Sequence, residues 1–430
     1  MSRGLFFPKV LDTFSLGTLV YMFALRSLRL TWLAVAAALS CTALGSAQTR
    51  ADAWENRARQ VSCRNYTLIT DLPDAQAKDV ADNLDQLHDT CTEFFAALRG
   101  RIPTGEQVCV FATQEDYNDW VHRRIGANPT GSAGMFVQAG NKRALVAWLG
   151  GQPMHRLLGT LRHEGFHHAA ALLFPDLPVW ANEGIAEMFE RAVPVSNGLA
   201  LGNVRSSDVA RLQQAINRNA LTPLNEFFRM ASDRWNSQVQ QGTASTNYLQ
   251  AWATVQFLLY GDSGRYKGGF LTFLDGLNRG FSWQQAFAEA YNVRDYAVIQ
   301  QHFANFVRTM KPTDLEQAVP RMILLAEGVR AMRSQGIQAR DEASIVMALK
   351  NANFTSTIPD RYGGGTFSAR DDDAFELPHE TGGRLFLCDR NGRPLRSNTA
   401  RPCVIAADLQ PRELMLRWKD DDSWELIVDD

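Results

Sequence analysis

The segment from Leu161 to His168 contains the pattern His-Glu-x-x-His, and it constrains the fold more than any other stretch of this sequence. If the segment is helical, His163 and His167 lie one turn apart on the same face, where both imidazoles can bind one tetrahedral metal ion. Glu164 projects to the side of that pair, so its carboxylate can reach a water on the metal without binding the metal itself. The pattern predicts a metal site carried by a helix.

The surrounding residues favour this helix. No proline interrupts residues 156–174, and Pro175 and Pro178 end the pattern. Four apolar side chains recur at helical spacing, roughly opposite the two histidines: Leu158, Leu161, Ala169 and Leu172. One face can therefore pack on a core while the other faces a cleft. Because so short a pattern also arises by chance, a pair of structural histidines is the alternative at this point.

Size and charge limit the function classes. A chain of 430 residues with 45% hydrophobic content is long enough for two or three globular domains. The formal net charge is −2, so the composition offers no strongly basic surface for nucleic acid. We therefore expect a globular protein without a nucleic-acid partner.

The N-terminal residues 1–47 are typical of an export signal. Arg26 and Arg29 precede the apolar run 30–39, and the small residues that follow offer a cleavage site after Ala47. An uncleaved anchor that uses the same run is the alternative. The signal predicts a periplasmic or secreted protein, with an association with the cell envelope as one outcome.

Export implies an oxidising compartment, in which disulfides persist. Five cysteines remain after cleavage. We expect Cys63 to pair with Cys91 and Cys388 to pair with Cys403. Cys109 lies in an apolar run and is expected to be a buried free thiol. Sequence alone does not determine this connectivity.

The order of the elements predicts an α+β protein. Residues 48–155 form an α/β portion with a mixed sheet, and residues 156–311 form a mainly helical portion that carries the metal site. Residues 312–375 read as a helical connector and linker, and residues 376–430 as a small β module. The expected elements of the α/β portion are strands at 66–70 and 107–112, helices at 74–98 and 115–125, and a hairpin of 134–138 with 143–149.

Two histidines leave a catalytic zinc ion one protein ligand short. The segment 178–190 follows after a short loop, has helical periodicity, and carries one acidic stripe of Glu183, Glu187 and Glu190. A solvated helix face is the alternative explanation of that stripe. Apolar residues on the rest of the helix favour packing instead, and packing across a short loop brings Glu183 beside the histidine pair.

The two motifs together resemble the signature of gluzincin metallopeptidases, in which His-Glu-x-x-His is followed by Trp-x-x-Glu-Gly-x-Ala. The chain looks most similar to bacterial peptidase-MA-like proteins of uncertain function, from about Tyr66 to Phe306, without the terminal β module. The resemblance implies a Zn²⁺ site and an α+β, zincin-like fold. By this resemblance the roles are zinc ligands for His163, His167 and Glu183, general base for Glu164, and an acid that orients a ligand histidine for Glu187.

The same resemblance implies a role for Tyr248, because aminopeptidase-type gluzincins place an oxyanion-stabilising tyrosine at a similar spacing. A core tyrosine is the alternative, since Tyr248 also begins an apolar helical stripe. The resemblance further implies that a strand within 134–149 pairs with extended substrate, and an ordinary sheet strand is the alternative. Residues 131–136 lack the acid of the aminopeptidase Gly-Ala-Met-Glu-Asn stretch, which leaves an endopeptidase or an unusual amide substrate open.

These observations predict an exported zinc metallopeptidase that acts on a peptide or protein substrate. An exported binding or envelope-assembly protein with a structural metal site is one alternative. An amidase acting on cell-wall peptides is the other.

Overall fold

The computed structural model describes residues 19–24, 53–129, 132–139, 142–291, 296–337, 341–389, 402–421 and 423–429. Within them, the N-terminal portion contains a mixed sheet of the strands β1 (Leu19–Ala24), β2 (Arg59–Ser62), β3 (Tyr66–Thr70), β4 (Glu106–Phe111), β5 (Ser132–Ala139) and β6 (Lys142–Trp148). The strand order is β1-β5-β6-β4-β3-β2. Strands β3, β4 and β6 run parallel, whereas β2, β5 and β1 pair antiparallel with their neighbours.

The α-helices of the described residues are α1 (Trp54–Arg57), α2 (Asp74–Phe94), α3 (Gln114–Ile125), α4 (Met154–Leu173), α5 (Val179–Glu190), α6 (Ser206–Asn217), α7 (Leu224–Phe227), α8 (Ser232–Gln240), α9 (Ser245–Tyr260), α10 (Lys267–Asn278), α11 (Trp283–Tyr291), α12 (Tyr296–Thr309), α13 (Leu315–Ser334) and α14 (Glu342–Asn351). Helix α2 makes the crossover between the parallel strands β3 and β4. Helices α2 and α4 cover one face of the sheet, and α3 covers the other.

The central strand β4 shows why the sheet needs helices on both faces. Val108 and Val110 pack toward α2 and α4, while Cys109 and Phe111 pack toward α3. All four side chains are buried. A continuous apolar run of this kind is typical of parallel strands covered on both sides.

The C-terminal residues form a separate antiparallel sheet. Its strands are β11 (Arg384–Cys388), β12 (Cys403–Ala407), β13 (Glu413–Trp418) and β14 (Trp424–Asp429), in that order. Two short hairpins complete the described strands: β7 (Val193–Val195) with β8 (Gly198–Ala200), and β9 (Thr355–Thr357) with β10 (Thr366–Ser368). Helix α13 packs in one hydrophobic core with the C-terminal sheet, so part of the expected connector 312–375 belongs to that core.

The structure confirms the α+β fold class, the mixed sheet and the C-terminal β module. The expected hairpin is present, because β5 and β6 pair antiparallel with Ala139 opposite Lys142. Its two turn residues lie outside the described residues. The sequence analysis missed β2, the β7–β8 hairpin and the short helices α7 and α8, since elements of three to nine residues carry too few periodic positions to be recognised.

The described residues test only part of what we expect for the N-terminal segment and the cysteines. Of residues 1–47, the apolar run 30–39 and the site after Ala47 lie outside the described residues. No helix in the described part of the chain is long and apolar enough to span a membrane. Cys109 is a buried free thiol. Cys63 and Cys91 are also free thiols in this structure, and Cys388 lies directly opposite Cys403 in the C-terminal sheet. Both disulfide pairs stay predictions.

Helices α4, α5 and α9 pack closely and form the frame of the candidate site. Gly184 on α5 permits the approach of α9, because a Cβ at this position would lie 2.4 Å from Ala251 O and 2.7 Å from Val255 Cγ2. Real Cβ atoms do not approach other heavy atoms so closely, and one of the contacts is rigid backbone. A glycine next to Glu183 therefore sets the distance between the two helices.

We expect the substitution Gly184→Ala to separate α5 from α9 and to lower the free energy of unfolding by about 1–3 kcal/mol. Guanidinium-chloride unfolding of the purified chain measures this change. Gly268→Ala is the matched control, because Gly268 lies exposed within α10 and its Cβ would meet nothing within 4 Å. That control should stabilise the protein by about 0.5–1 kcal/mol. Equal responses of the two variants would contradict this account of the α5–α9 contact.

Candidate metal centre

Helix α4 brings the two histidines of the His-Glu-x-x-His pattern together. His163 and His167 are 1% and 3% exposed, and their Nε2 atoms lie 3.1 Å apart. Their rings meet edge to face, with centroids 4.8 Å apart. Spacing of four residues on an α-helix directs both side chains to one point, as the sequence indicated.

Helix α5 adds a carboxylate at the same point. Glu183 Oε2 lies 3.6 Å from His163 Nε2 and 3.6 Å from His167 Nε2. These separations exceed a normal N–H···O hydrogen bond, and Glu183 Oε2 is buried without a hydrogen-bond donor in the described part of the chain. The three atoms belong to a group that could hold a metal ion.

The spacing of these three atoms fits a tetrahedral ion. Zinc bonds of about 2.0–2.1 Å at tetrahedral angles place two ligand atoms about 3.4 Å apart. The observed separations of 3.1, 3.6 and 3.6 Å lie on either side of that value. A point between the atoms is therefore at bonding distance from all three with little adjustment.

The electrostatics of the cluster stabilise positive charge at this point. Burial alone raises the pKa of Glu183, but the positive charges of His167 and His163 outweigh burial and lower that pKa to about 2. Burial lowers the pKa of His163, but Glu183, Glu190 and Glu164 around it raise that pKa to about 10. The same field that holds a proton on His163 favours a metal cation in its place.

Counting charges leads to the same conclusion. The buried ionisable side chains around the histidines include two guanidinium groups and four carboxylates, namely Arg162, Arg191, Glu164, Glu183, Glu187 and Asp208. Uncompensated buried charge is costly, so such a cluster needs further positive charge. Negative charge therefore exceeds positive charge in this cluster, and a cation between the imidazoles and Glu183 would offset part of the excess.

The outer nitrogens of both imidazoles face polar partners. His167 Nδ1 lies 3.1 Å from Asn182 Oδ1. His163 Nδ1 lies 3.3 Å from Glu190 Oε2 and 3.9 Å from Glu187 Oε1. Partners of this kind fix the tautomer and orientation of a ligating histidine. The sequence analysis did not assign this function to Asn182 or Glu190, although Asn182 precedes Glu183 directly and Glu190 belongs to the acidic stripe.

Glu187 has a different principal partner from the one expected. Its carboxylate accepts a hydrogen bond from Arg191, which also donates to the Glu187 carbonyl (3.0 Å) and to Asp208 Oδ2 (2.8 Å). Arg191 additionally lies over the Trp252 ring, 4.9 Å from its centroid. The geometry thus favours Glu190 as the residue that orients His163, while the expected role of Glu187 stays a prediction.

A buried arginine fixes the position of α5 against α4. Arg162 donates to the carbonyls of Phe189 and Glu190, both at 3.0 Å, and to Asn83 Oδ1 at 2.8 Å. Burial lowers the pKa of Arg162 to about 10. Its charge faces the carbonyl end of α5, where a cation is favourable. This contact holds Glu190 next to His163.

Glu164 lies between the sheet and the histidines. It is 1% exposed, and its Oε2 accepts a hydrogen bond from the Phe136 backbone N–H of β5 at 2.9 Å. Burial raises the pKa of Glu164, against the lowering effects of His163 and His167. The carboxylate is therefore positioned by one hydrogen bond and is more basic than in water.

Tyr248 lies in the first turn of α9, the helix that packs against α5. Its ring packs edge to face on Trp235, with centroids 5.0 Å apart, and it is half-buried. Burial raises the pKa of Tyr248, and the negative charges of Glu183 and Glu187 raise it further. Tyr248 is thus both packed in the core and within the electrostatic influence of the cluster.

A cleft of about 780 Å³ opens beside the cluster. Its lining includes the first half of α4, the end of α5, the start of α9 and Glu316 of α13. His163, His167 and Glu183 are not lining residues, but Glu190 and Tyr248 are. Glu190 therefore connects the cleft to the candidate metal ligands.

The remaining expectations for the site concern β5 and β6. β6 lies inside the sheet between β5 and β4, so it offers no free edge to an extended substrate. β5 pairs with Leu19–Ala24 on its outer side. Leu19–Ala24 lies within the expected signal peptide 1–47, so pairing of substrate with 134–149 stays a prediction for the β5 edge of the cleaved chain. His168 lies away from the cluster, with Nε2 3.8 Å from Glu106 Oε1.

One family model matches the segment of the chain that contains the site. Residues 157–272 match the model of a family described as "Protein of unknown function (DUF1570)". The matched segment runs from α4 into α10 and contains both motifs and Tyr248. None of the curated proteins matches the chain.

Two acids of α5 should respond differently to neutralisation. We expect Glu190→Gln to weaken zinc binding by about 10–100-fold, because it removes the charge that faces His163 Nδ1. We expect Glu187→Gln to lower the free energy of unfolding by about 1.5–3 kcal/mol, because Arg191 loses a buried charged partner. Competition with a chromophoric chelator measures the first effect and guanidinium-chloride unfolding the second. A larger loss of zinc affinity in Glu187→Gln would instead assign Glu187 to His163.

Proposed function

We propose that this protein is an exported, zinc-dependent metallopeptidase of the gluzincin type that hydrolyses peptide bonds. The observation that carries the proposal is the convergence of His163 Nε2, His167 Nε2 and Glu183 Oε2 at tetrahedral spacing. The matching family model spans all three of these residues, but its description names no activity.

The number of ligands supports a catalytic rather than a structural site. Structural zinc sites are closed by four protein ligands, whereas catalytic sites have three and keep one position for water or substrate. The described residues offer three ligand atoms around the shared point. When bound, zinc lowers the pKa of a coordinated water towards 7 and polarises the substrate carbonyl.

Glu164 is the general base of the proposed reaction. The hydrogen bond from Phe136 N–H orients its carboxylate, and burial raises its pKa, which makes it a stronger base than a carboxylate in water. Glu164 takes a proton from the attacking water. It then gives that proton to the amine that leaves when the peptide bond breaks.

Tyr248 is the proposed donor to the oxyanion. Its side chain lines the cleft and has a raised pKa, so its hydroxyl keeps its proton and can donate a hydrogen bond. A donor that meets the developing charge is worth more in a site shielded from water. Edge-to-face packing on Trp235 holds the ring in place.

The cleft supports a peptide rather than a large rigid ligand. Its volume of about 780 Å³ lies within the range of ligand pockets and suits a segment of a few residues.

The alternative of a binding or envelope-assembly protein with a structural metal has one observation in its favour, since the three ligand side chains are only 1–5% exposed. The next experiment separates these functions.

We expect Glu164→Gln to retain one zinc ion per chain and to reduce peptide hydrolysis by about 10²–10⁴-fold. A quenched-fluorescent peptide library measures turnover of the mature chain, and elemental analysis measures zinc. Glu115→Gln, an exposed change on α3, is the matched control. The structural-site alternative would be favoured by two results together. The wild-type chain would bind zinc and cleave no peptide, and Glu164→Gln would behave like the wild-type chain in every assay.

We expect Tyr248→Phe to lower kcat by about 10²–10³-fold with little change in KM, because the oxyanion donor is lost while the ring packing stays. Steady-state kinetics on the best library peptide measures both constants. Tyr291→Phe removes a hydroxyl outside the cleft and serves as the control. Unchanged kcat in Tyr248→Phe would assign this residue to the core alone.

A further inference from the structure

The charged side chains that line the cleft each face an oppositely charged or ionisable partner within the protein, with one exception. Arg191 is bound to Glu187 and to Asp208. Arg211 Nη1 lies 3.3 Å from Asp208 Oδ1, and Arg205 Nη2 lies 2.6 Å from Glu316 Oε1. Glu190 faces His163. These groups are compensated before any ligand enters.

Arg156 is the exception. It lies in the first turn of α4, is exposed, and lines the cleft. Its side chain makes neither a hydrogen bond nor an ion pair within 4.0 Å in the described part of the chain, a property unique among the arginines of this lining. Since the other arginines are neutralised by nearby acids, Arg156 is the cation that the cleft keeps available.

The surroundings of His155 show that this end of the cleft is electropositive. Burial lowers the pKa of His155 and Glu316 opposes that effect, but the charges of Arg156, Arg205 and Arg162 lower it further. Since Arg205 is paired with Glu316, the positive charges left at this corner are those of Arg156 and Arg162. The amino-terminal end of α4 adds a partial positive charge of its own.

The position of Arg156 relates it to the metal ligands. Arg156 precedes His163 by seven residues on α4, which corresponds to about 10 Å along the helix axis. An extended peptide advances about 3.3 Å per residue. A side chain about two to four residues from the cleaved bond therefore lies within reach of the guanidinium group.

We propose that Arg156 forms an anion subsite of the cleft, which selects peptides carrying a carboxylate about two to four residues from the cleaved bond. This inference rests on the proposed peptidase function and deepens it by naming a substrate class. An arginine pairs with a carboxylate through two parallel hydrogen bonds, which gives both affinity and geometry. The carboxylate is that of an acidic side chain or of the peptide's C-terminus.

The experiment uses the mature, zinc-loaded chain and a quenched-fluorescent peptide that it cleaves. Single Glu or Gln residues are placed in turn at each position around the cleaved bond, and each peptide is made with a free or an amidated C-terminus. We expect one position, or the free C-terminus, to raise kcat/KM by about tenfold through KM. The two sources of the carboxylate are thereby distinguished.

Variants assign this preference to one residue. We expect Arg156→Gln to abolish the Glu-over-Gln preference, and we expect Arg156→Glu to reverse it so that the Gln peptide has the higher kcat/KM. Arg101→Gln is the matched control, because Arg101 is also exposed but does not line the cleft. A wild-type chain that cleaves acidic and neutral peptides equally well would overturn the subsite, as would a preference that survives in Arg156→Gln.

A binding measurement keeps this inference separate from the peptidase function. Fluorescence anisotropy of labelled acidic and neutral peptides is recorded with the zinc-loaded Glu164→Gln chain, with and without Arg156→Gln. Failure of the peptidase function appears as no cleavage of any peptide by the wild-type chain. Tighter binding of acidic peptides that depends on Arg156 would still support the subsite in that case, and equal binding of both peptides would overturn it.

Discussion

The structure depends on compensating the charges that are buried where α4 meets α5. Ionised carboxylates away from water are tolerated only with cationic partners or hydrogen bonds. Here Arg191 forms ion pairs with Glu187 and Asp208, while Glu183 faces the two imidazoles. The buried negative charge of this cluster is compensated only if the point between the imidazoles and Glu183 carries positive charge. A metal ion or a bound proton supplies it, which links the stability of this core to its chemistry.

Neighbouring elements maintain that arrangement from several sides. Arg162 binds the carbonyl end of α5, and Phe136 of β5 holds Glu164. Gly184 admits α9 at close range, which brings Tyr248 to the cleft. Sheet, α4, α5 and α9 thus each contribute one constraint. Loss of any of them would displace ligand atoms that need to stay within a few tenths of an ångström.

The C-terminal half is also connected to the site. Asp314, just before α13, accepts a hydrogen bond from Ser206 N at 2.8 Å, and Glu316 in the first turn pairs with Arg205. α13 continues into the core of the C-terminal sheet. The segment expected to be a connector therefore forms part of the cleft wall and joins the β module to it. This dual role depends on contacts between residues about 110 positions apart, which leave no local signal in the sequence.

Most of the secondary structure was predictable, because long amphipathic or apolar segments carry their period in the sequence. The strand Tyr66–Thr70 has its expected bounds, and α4 begins two residues before the expected helix and ends one residue before its expected end. The two motifs likewise placed His163, His167 and Glu183 on two adjacent helices. The resemblance assigned the orienting role to Glu187, but the pattern alone could not separate it from Glu190, since both lie on the same stripe of α5 and differ only in what faces them.

The sequence by itself determined the types of the candidate ligands, their helical spacing and the α+β class, because these follow from residue identity and periodicity along the chain. Only the tertiary structure decided that Arg191 engages Glu187, that Glu190 faces His163, and that Arg156 keeps its charge available in the cleft. The physical reason is that pairing and burial of charges depend on which distant elements meet, and a linear pattern does not encode that meeting.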